Sequence, residues 1–582
     1  MRLLLSAAVA ALLSSTTSVA APADQLKTLL DDHWAWSMKN SPVYATMLGI
    51  RTYDRELGDP SLAAEDRRAA EAQALIDRLD EIDTKALTPI DRTNAAILRR
   101  QLAEQVEGNK FGQRAVTFTT YSSWFQNFAG LGEDLPFQTK ADYESYLARL
   151  AAYPAYNDAQ IEVTRRGLKD GYAQPCEPLK GFEKTIGGVV VDDVTASRLY
   201  LPFKRKPSTI SAADWAALDK RARDLIAKSV NPAFAQTLDF YTKEYAPKCR
   251  NVAGIGSTPG GADYYAFRVR AETTTDLAPD AIHKLGLSEV ARITAEMEAV
   301  AKKAGYADRK SYVEHLRTDP RYYPKTPAEL MREAAYLAKL IDGWMPKLFV
   351  NLPRLPYTVR EIPAEIAEGT TTAYYGSGKL ASATPGVYWV NTSKLDQRPF
   401  YELPSLTIHE AVPGHHHQIS LAQELDLPMF RRFGFSSTAF VEGWALYTEG
   451  LGYDMGLYDT PAKEMGRLSY EMWRACRLVV DTGIHSKGWT REQAIQFMLD
   501  NTALSRGNIE AEVNRYITWP GQALAYKLGE LTIRRLRTKA ETALGEKFDL
   551  RRFHDAVLEQ GSVPLDVLES HIDEWIVAQK KA

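Results

Sequence analysis

The 582-residue sequence predicts a mainly α protein with a small β-sheet next to a histidine-rich helix. Apolar residues recur at three- and four-residue spacing, with charged residues between them, as in amphipathic helices. Ser211 and Thr326 stand where helix N-caps are expected. The periodic segments are 63–79, 212–227, 280–304 and 327–340.

One region has a different pattern. Residues 373–391 are rich in Tyr, Gly, Ser and Thr, and they end in a β-branched and aromatic run at 386–391. That run follows Pro385 and predicts a strand. The next predicted element is a helix beginning near Pro404, because proline is tolerated in a first helical turn. The Gly/Pro-rich segment 254–261 and the Pro-rich segment 352–363 are candidate breaks.

The composition and the N-terminus restrict the class of protein. Hydrophobic residues make up 45% and charged residues 25% of the chain, and the net charge is −3. The absence of a basic stripe argues against nucleic acid as a partner. Residues 1–20 have the pattern of a cleaved signal peptide, with Arg2 before a short apolar run and small residues at the end. No later stretch has the roughly 20 apolar residues of a membrane span. A periplasmic or secreted protein is therefore expected.

Three cysteines are present. Cys176 and Cys249 lie in proline-containing, loop-like segments, and they are the plausible disulfide pair in an oxidising compartment. Cys476 lies in an apolar helical stretch and is expected to be a buried free thiol. Without a CxxC motif, any zinc ion must be held by histidines and carboxylates.

Four of the ten histidines fall in one short segment, as His409 and His415 to His417. Catalytic zinc takes three protein ligands at ~2.0–2.2 Å. The usual helical arrangement has two histidines four residues apart, and the glutamate after the first acts as the base. Here Glu410 follows His409, but His415 is six positions on, about 240° around an ideal helix. His416 returns to the same face about 10.5 Å further along the axis.

The residues between the histidines offer a solution. Pro413 cannot donate a backbone hydrogen bond, and Gly414 permits unusual dihedral angles. A bulge at this Pro-Gly pair would bring a second histidine back to His409. Spacing alone leaves His415 and His416 both open as that ligand.

The string HEAVPGHHHQ at 409–418, with EGWALY at 442–447, resembles the bacterial family called domain of unknown function 885. Further familial patterns lie at 261–270, 385–391, 477–489 and 520–527. That family is similar to the gluzincin metallopeptidases, which include thimet oligopeptidase and angiotensin-converting enzyme. The resemblance implies a two-lobed helical metallopeptidase-like fold.

The resemblance also implies roles for single residues. His409 is the first ligand of one Zn²⁺ ion, Glu410 the catalytic base, His415 the second ligand and Glu442 the third. Glu442 lies in an apolar segment, where a carboxylate needs a partner. Glu449 is expected either to orient a ligand from behind or to lie at the surface. The two residues by which the histidine spacing exceeds that of the gluzincins are the departure from the pattern.

Further site residues are predicted from the C-terminal segments. Related gluzincins stabilise the oxyanion with a tyrosine or histidine from a late helix, which here suggests Tyr526, Tyr516 or His485. Arg515 or Lys527 could hold a substrate carboxylate. The 386–391 strand, including Tyr388, could bind an extended peptide as an edge strand, or it could be an ordinary sheet strand.

The sequence thus predicts a zinc peptidase with three regions: a signal peptide at 1–20, an N-terminal helical region at 21–254 and a metal-binding region at 255–582, the last two packed as one unit. The leading hypothesis is hydrolysis of short peptides. One alternative is a zinc amidohydrolase acting on a cell-wall or γ-glutamyl compound. Another is a catalytically silent zinc-binding envelope protein. The sequence leaves the substrate and the oligomeric state open.

Overall fold

The computed structural model describes residues 20–119, 123–367, 370–380 and 383–581. Helices dominate it, and the strands form one small sheet, which confirms the predicted mainly α class. The predicted signal peptide lies outside the described residues except for its last position. Among the described helices, none has the length and apolar content needed to cross a membrane.

The first half of the chain is helical. Its α-helices are α1 (Pro22–Asn40), α2 (Pro42–Met47), α3 (Leu62–Asp80), α4 (Pro89–Gly108), α5 (Trp124–Ala129), α6 (Leu131–Asp134), α7 (Lys140–Lys169), α8 (Phe182–Gly187), α9 (Ala212–Leu225), α10 (Asn231–Phe240), α11 (Gly261–Thr273) and α12 (Pro279–Lys303).

The second half contains the sheet and the remaining helices. These are α13 (Arg309–Thr318), α14 (Pro327–Asp342), α15 (Met345–Leu348), β1 (Tyr357–Glu361), α16 (Ala364–Ala367), β2 (Ala373–Gly376), β3 (Gly386–Val390), α17 (Leu403–Glu410), α18 (His415–Ala422), α19 (Thr438–Gly450), α20 (Pro461–Lys487), α21 (Arg491–Asn501), α22 (Arg506–Thr518), α23 (Ala525–Leu544), α24 (Leu550–Leu558) and α25 (Leu565–Lys581).

The four periodic segments correspond to α3, α9, α12 and α14. The predicted caps are also confirmed. The Ser211 hydroxyl accepts a hydrogen bond from the Asp214 backbone N–H, and the Thr326 hydroxyl accepts one from the Glu329 N–H. Each bond satisfies a donor that the first helical turn leaves without a partner.

The sheet decides between the two alternatives for 386–391 and corrects one prediction. Strand β3 lies in the middle, parallel to β1 and antiparallel to β2. The backbone of β3 is therefore already paired on both sides, so of the two alternatives for 386–391 the structure supports the ordinary sheet strand and not the peptide-binding edge strand. Strand β1 lies inside the Pro-rich segment 352–363, which the sequence suggests as a break. The run from Tyr357 to Glu361 contains no proline, so it can pair with β3.

The buried apolar residues form several clusters. One extends from Leu26 in α1 to Ile576 in α25 and includes Ile408 and Trp444 beside the histidine segment. A second, rich in aromatic side chains, lies within 118–245. A third surrounds α20. The N-terminal helices α1, α3 and α4 thus share a core with the C-terminal helices, and the boundary at 254 stays a prediction.

A disulfide joins Cys176 and Cys249, as predicted from their loop contexts. The flanking backbone is also paired, because the Cys176 N–H donates to the Arg250 carbonyl at 2.8 Å and the Arg250 N–H donates to the Gln174 carbonyl at 3.0 Å. Cys476 is a buried free cysteine, and burial raises the pKa of its thiol. Both cysteine predictions are confirmed.

We expect the double substitution Cys176→Ser and Cys249→Ser to lower the free energy of unfolding by about 4 kcal/mol, because the bond closes a long loop in the unfolded chain. The two cysteines are 73 residues apart. Denaturant unfolding followed by circular dichroism measures the change. A thiol reductant should destabilise the native protein and leave the double variant unaffected. Equal stabilities of the double variant and of the wild-type protein with its disulfide intact would contradict the prediction.

Candidate metal centre

The histidine segment is a broken helix. Helix α17 ends at Glu410, and α18 begins at His415, so residues 411–414 connect the two. The connection is held by backbone hydrogen bonds, in which the Gly414 N–H donates to the Ile408 carbonyl and the His416 N–H donates to the Ala411 carbonyl, both at 3.0 Å. The predicted break at the Pro-Gly pair is confirmed.

Gly414 is required by close backbone contact. A Cβ atom at this position would lie 2.0 Å from the His409 carbonyl oxygen and 2.4 Å from the Ile408 carbonyl oxygen. The connection is also fixed from the side, since the Trp444 indole N–H donates to the Pro413 carbonyl at 2.8 Å. His415 can therefore face His409 because Gly414 has no side chain and because Trp444 holds the Pro413 carbonyl in place.

Helix α19 presents Glu442 to the two histidines. It packs against α23 at two glycines, because a Cβ on Gly443 would lie 2.5 Å from the Gly529 Cα, and a Cβ on Gly529 would lie 1.9 Å from the Ala439 carbonyl oxygen. The Ser437 hydroxyl caps the start of the helix. This close crossing fixes the position of the Glu442 backbone relative to the core.

His409, His415 and Glu442 form a group whose ligand atoms all lie within 4.8 Å of one another. The Glu442 Oε2 atom is 3.5 Å from His409 Nε2 and 3.4 Å from His415 Nε2. Tetrahedral zinc with ligands at ~2.0–2.1 Å needs ligand atoms about 3.3 Å apart. The same distances exceed the usual length of an N–H···O hydrogen bond. The three side chains therefore fit a shared cation.

His416, the alternative second ligand, points elsewhere. Its Nε2 atom lies 3.0 Å from the Leu355 carbonyl oxygen, and its Nδ1 atom lies 3.0 Å from the Tyr375 hydroxyl. Its ring thus contacts the sheet side of α18. His417 is fully buried, with its ring 4.0 Å from that of Phe349. Of the three consecutive histidines, His415 is the one that faces His409.

Glu449 supports His409 from behind. Its Oε1 atom is 2.9 Å from His409 Nδ1, and the side chain is buried. When the Nδ1–H group donates to a carboxylate, the lone pair of Nε2 is free to bind a metal ion. Metal-binding histidines are commonly held by such a carboxylate. Of the two roles expected for Glu449, the structure favours the supporting one.

Two residues that the sequence did not indicate hold Glu449 in place. The Arg474 guanidinium lies 3.7 Å from its Oε1 atom, and the Tyr458 hydroxyl donates to its backbone carbonyl at 2.6 Å. Arg474 and Tyr458 come from α20 and from the segment before it, so no local pattern connects them to α19.

The protonation states of His409 and Glu442 depend on each other. Burial lowers the pKa of His409, but the neighbouring carboxylates of Glu442, Glu449 and Glu410 outweigh this and raise it to about 9. Burial raises the pKa of Glu442, but the neighbouring imidazoles of His415 and His409 lower it well below its usual range. These interactions favour an ionised Glu442 carboxylate beside a protonated His409 imidazole.

Glu410 is buried, with 8% of its surface exposed. Within the described part of the chain, its carboxylate has no hydrogen-bond or ion-pair partner. A carboxylate that no neighbour occupies is available to a water molecule or a substrate, as a general base must be.

Two of the predicted substrate-binding residues are not presented to a ligand. Tyr388 is fully buried in the sheet, with its hydroxyl 3.4 Å from the Thr407 hydroxyl. Lys527 is fully buried, and its ammonium group lies within 3.1 Å of carboxylates of Glu289, Glu471 and Glu530. These contacts contradict the predicted roles, because neither polar group is free to contact a substrate.

Two of the three oxyanion candidates are likewise engaged. The Tyr516 hydroxyl donates to Glu512 at 2.8 Å and accepts from Arg477 at 2.9 Å. The His485 ring lies between the Ile255 N–H and the Tyr516 carbonyl, and burial lowers its pKa to about 4. Their predicted catalytic roles are corrected to structural ones.

Arg515 and Tyr526 are the remaining candidates. Both are partly exposed, and an Arg515 guanidinium nitrogen lies 3.3 Å from the Tyr526 hydroxyl. The Arg477 guanidinium lies over the Tyr526 ring, 4.4 Å from its centroid. Their roles in oxyanion stabilisation and substrate binding stay predictions.

Comparisons with known proteins place the chain in context. A family model described as "Bacterial protein of unknown function (DUF885)" matches residues 42–572. A solved chain from Colwellia psychrerythraea, described as a "putative lipoprotein", is 28% identical with a TM-score of 0.88, over 96% of this chain and 100% of that one. A "putative lipoprotein of unknown function" from Shewanella oneidensis is 22% identical with a TM-score of 0.74, over 95% and 99%. No curated protein matches.

Proposed function

The chain belongs to the DUF885 family of bacterial proteins, whose function is unknown, and we propose that it is a zinc-dependent hydrolase of peptide bonds in short peptides. The observation that carries this proposal is the grouping of His409, His415 and Glu442 at ligand spacing, with Glu410 directly after the first histidine. The similarity to gluzincin sites, noted in the sequence, supports the same chemistry.

The three grouped side chains would hold the ion, and Glu449 would keep His409 in the correct tautomer. When bound, zinc supplies a Lewis acid that polarises the scissile carbonyl and makes water more acidic. Glu410 then takes a proton from the attacking water and delivers it to the leaving amine. Partial enclosure by the protein strengthens these interactions, because it excludes bulk water.

The accessibility of the site favours short substrates. The side chains of His409, His415 and Glu442 are 4%, 11% and 20% exposed. Side chains this enclosed favour a short, flexible substrate over the surface of a folded protein. The disulfide and the predicted signal peptide support an extracytoplasmic location, as does the description of the two solved relatives as lipoproteins.

Metal analysis and a peptide digest test the proposal together. We expect one zinc ion per chain in the purified protein, and cleavage of a mixture of short synthetic peptides detected by mass spectrometry. A chelator should abolish cleavage, and added zinc should restore it. Bound zinc without cleavage of any peptide would point to the silent zinc-binding protein. The absence of stoichiometric metal would overturn the proposal itself.

The zinc affinity should depend on pH. Because the pKa of His409 is raised to about 9, the ion must displace a proton from this ring at neutral pH. We expect the apparent affinity to rise about tenfold per pH unit from neutral pH upward and to level off above about 9. Competition with a chromogenic chelator at several pH values measures it. An affinity that stays constant across this range would contradict the prediction.

A further inference from the structure

A cavity of about 340 Å³ lies between α20, the segment before α17 and the connection from α21 to α22. This volume is at the lower end of the range of small-molecule sites, roughly 300–1,000 Å³. Arg398 and Glu402 lie on one wall, and Tyr470 and Trp473 on another. None of the three grouped metal-ligand candidates lines it, so the cavity is separate from the metal centre.

Arg398 is buried, with 9% of its surface exposed. One guanidinium nitrogen donates to the Gln397 carbonyl at 3.2 Å. Its Nε–H has no hydrogen-bond partner among the described residues. A buried cation with an unused donor costs free energy unless a ligand or water satisfies it.

Glu402 lies four residues further along the chain and is partly buried. Across the described ranges its carboxylate makes no hydrogen bond and no ion pair, not even with Arg398. Burial raises its pKa to about 7 in spite of the nearby Arg398, Arg474 and Arg317 guanidinium groups. The cavity wall thus carries a guanidinium group and a carboxyl group that are not hydrogen-bonded to each other.

We propose that this cavity binds a free α-amino acid with a large apolar side chain. Its carboxylate would pair with Arg398, its ammonium group with Glu402, and its side chain would contact Tyr470 and Trp473. A zwitterion satisfies both unpaired groups at once, whereas an inorganic anion or cation satisfies only one. The rings of Tyr470 and Trp473, 3% and 7% exposed, supply an apolar surface for the side chain.

The site does not depend on the proposed hydrolysis, although free amino acids are the products that peptide cleavage finally releases. Arg474 lies over both aromatic rings of the cavity wall, 4.8 Å from the Tyr470 centroid and 4.7 Å from the Trp473 centroid. The same guanidinium contacts Glu449 behind His409. A ligand in the cavity would thus lie one side chain away from the support of the metal centre.

Calorimetric titration with L-phenylalanine tests the proposal on the full-length mature protein. We expect saturable binding, weakened about 10- to 100-fold for N-acetyl-L-phenylalanine and for L-phenylalanine amide, since each analogue loses one charged contact. Trp473→Phe should remove the change in tryptophan fluorescence that L-phenylalanine produces in the wild type.

Variants localise the binding. Arg398→Gln and Glu402→Gln should each weaken L-phenylalanine binding about 10- to 100-fold. Arg506→Gln is the matched control, because Arg506 lies exposed at the same cavity and pairs with Glu510 on its own helix. It should change the affinity less than about 3-fold. If a buried variant fails to fold, the comparison of the three ligands on the wild type decides alone.

Three results would overturn the proposal. The first is no saturable binding of L-phenylalanine. The second is equal binding of both neutralised analogues, which would mean that the charged pair is not used. The third is binding that disappears with Glu442→Gln or after metal removal, because the amino acid would then occupy the metal centre. A failure of peptide hydrolysis leaves all these measurements unaffected.

Discussion

Replacing Glu410 by glutamine is expected to slow peptide hydrolysis by about 10²- to 10⁴-fold, the range for the loss of a general acid–base catalyst. Glutamine has the same shape but cannot take a proton from water. Zinc content should stay at the wild-type level, because the grouped ligand atoms belong to His409, His415 and Glu442. Metal analysis and the peptide digest on the same preparation measure both quantities.

A surface variant provides the control for this experiment. Glu492 is on the exposed side of α21, with 66% of its side chain accessible, so Glu492→Gln should cleave peptides at the wild-type rate. If Glu410→Gln kept full activity with zinc bound, the observed cleavage would not come from this site. Loss of zinc from Glu410→Gln would instead show that this carboxylate binds the ion directly.

Sequence patterns predict a structural feature correctly where the residues that cause it are close together in the chain or belong to a rare type. The starts of α9 and α14 follow from a capping hydroxyl and the apolar spacing after it. The break between Glu410 and His415 follows from proline, which lacks an N–H, and from the glycine beside it. The Cys176–Cys249 bond follows from two loop positions in a chain with no other cysteine in a loop. The capping residues and the Pro-Gly pair act on their neighbours in sequence, and cysteine is rare enough in this chain for its pairing to be inferred.

Sequence patterns did not predict the role of a polar side chain, or the place of a strand, when its partner is distant in sequence. Lys527 is one of two residues predicted to hold a substrate carboxylate, but it pairs instead with three glutamates from α12, α20 and its own helix. Tyr516 was predicted to face a substrate, yet its partner Arg477 is 39 residues away. The position of strand β3 in the sheet stayed open because no sequence pattern indicated its partner β1. Type and spacing reveal that a group needs a partner, but not which partner it finds.

Glu449 shows what the site adds to the motif. Its spacing from Glu442, two turns along the same helix, allowed a supporting role but did not require one. The contact with His409 Nδ1 and the guanidinium of Arg474 make it part of the site. Arg474 carries no sequence signal, because an arginine on a long amphipathic helix is usually exposed. Its burial is visible only once α19 and α20 are packed together.

The pair His415→Gln and His416→Gln should separate the two histidines that spacing alone left open. We expect His415→Gln to lower zinc affinity by more than about 100-fold, since loss of a direct ligand exceeds the 10- to 100-fold cost of losing an outer partner. His416→Gln should retain one zinc ion per chain. It should lower thermal stability, because it loses the contacts with the Leu355 carbonyl and the Tyr375 hydroxyl.

The two variants control for each other, because they make the same change at adjacent, buried positions. Metal content after identical dialysis and thermal unfolding with and without zinc give the comparison. Zinc should raise the unfolding temperature of His416→Gln but not that of His415→Gln, since an ion that binds only the folded state stabilises it. The reverse pattern would place His416 on the metal. It would require the α18 helix to turn by about 100° from the orientation in which His415 faces Glu442.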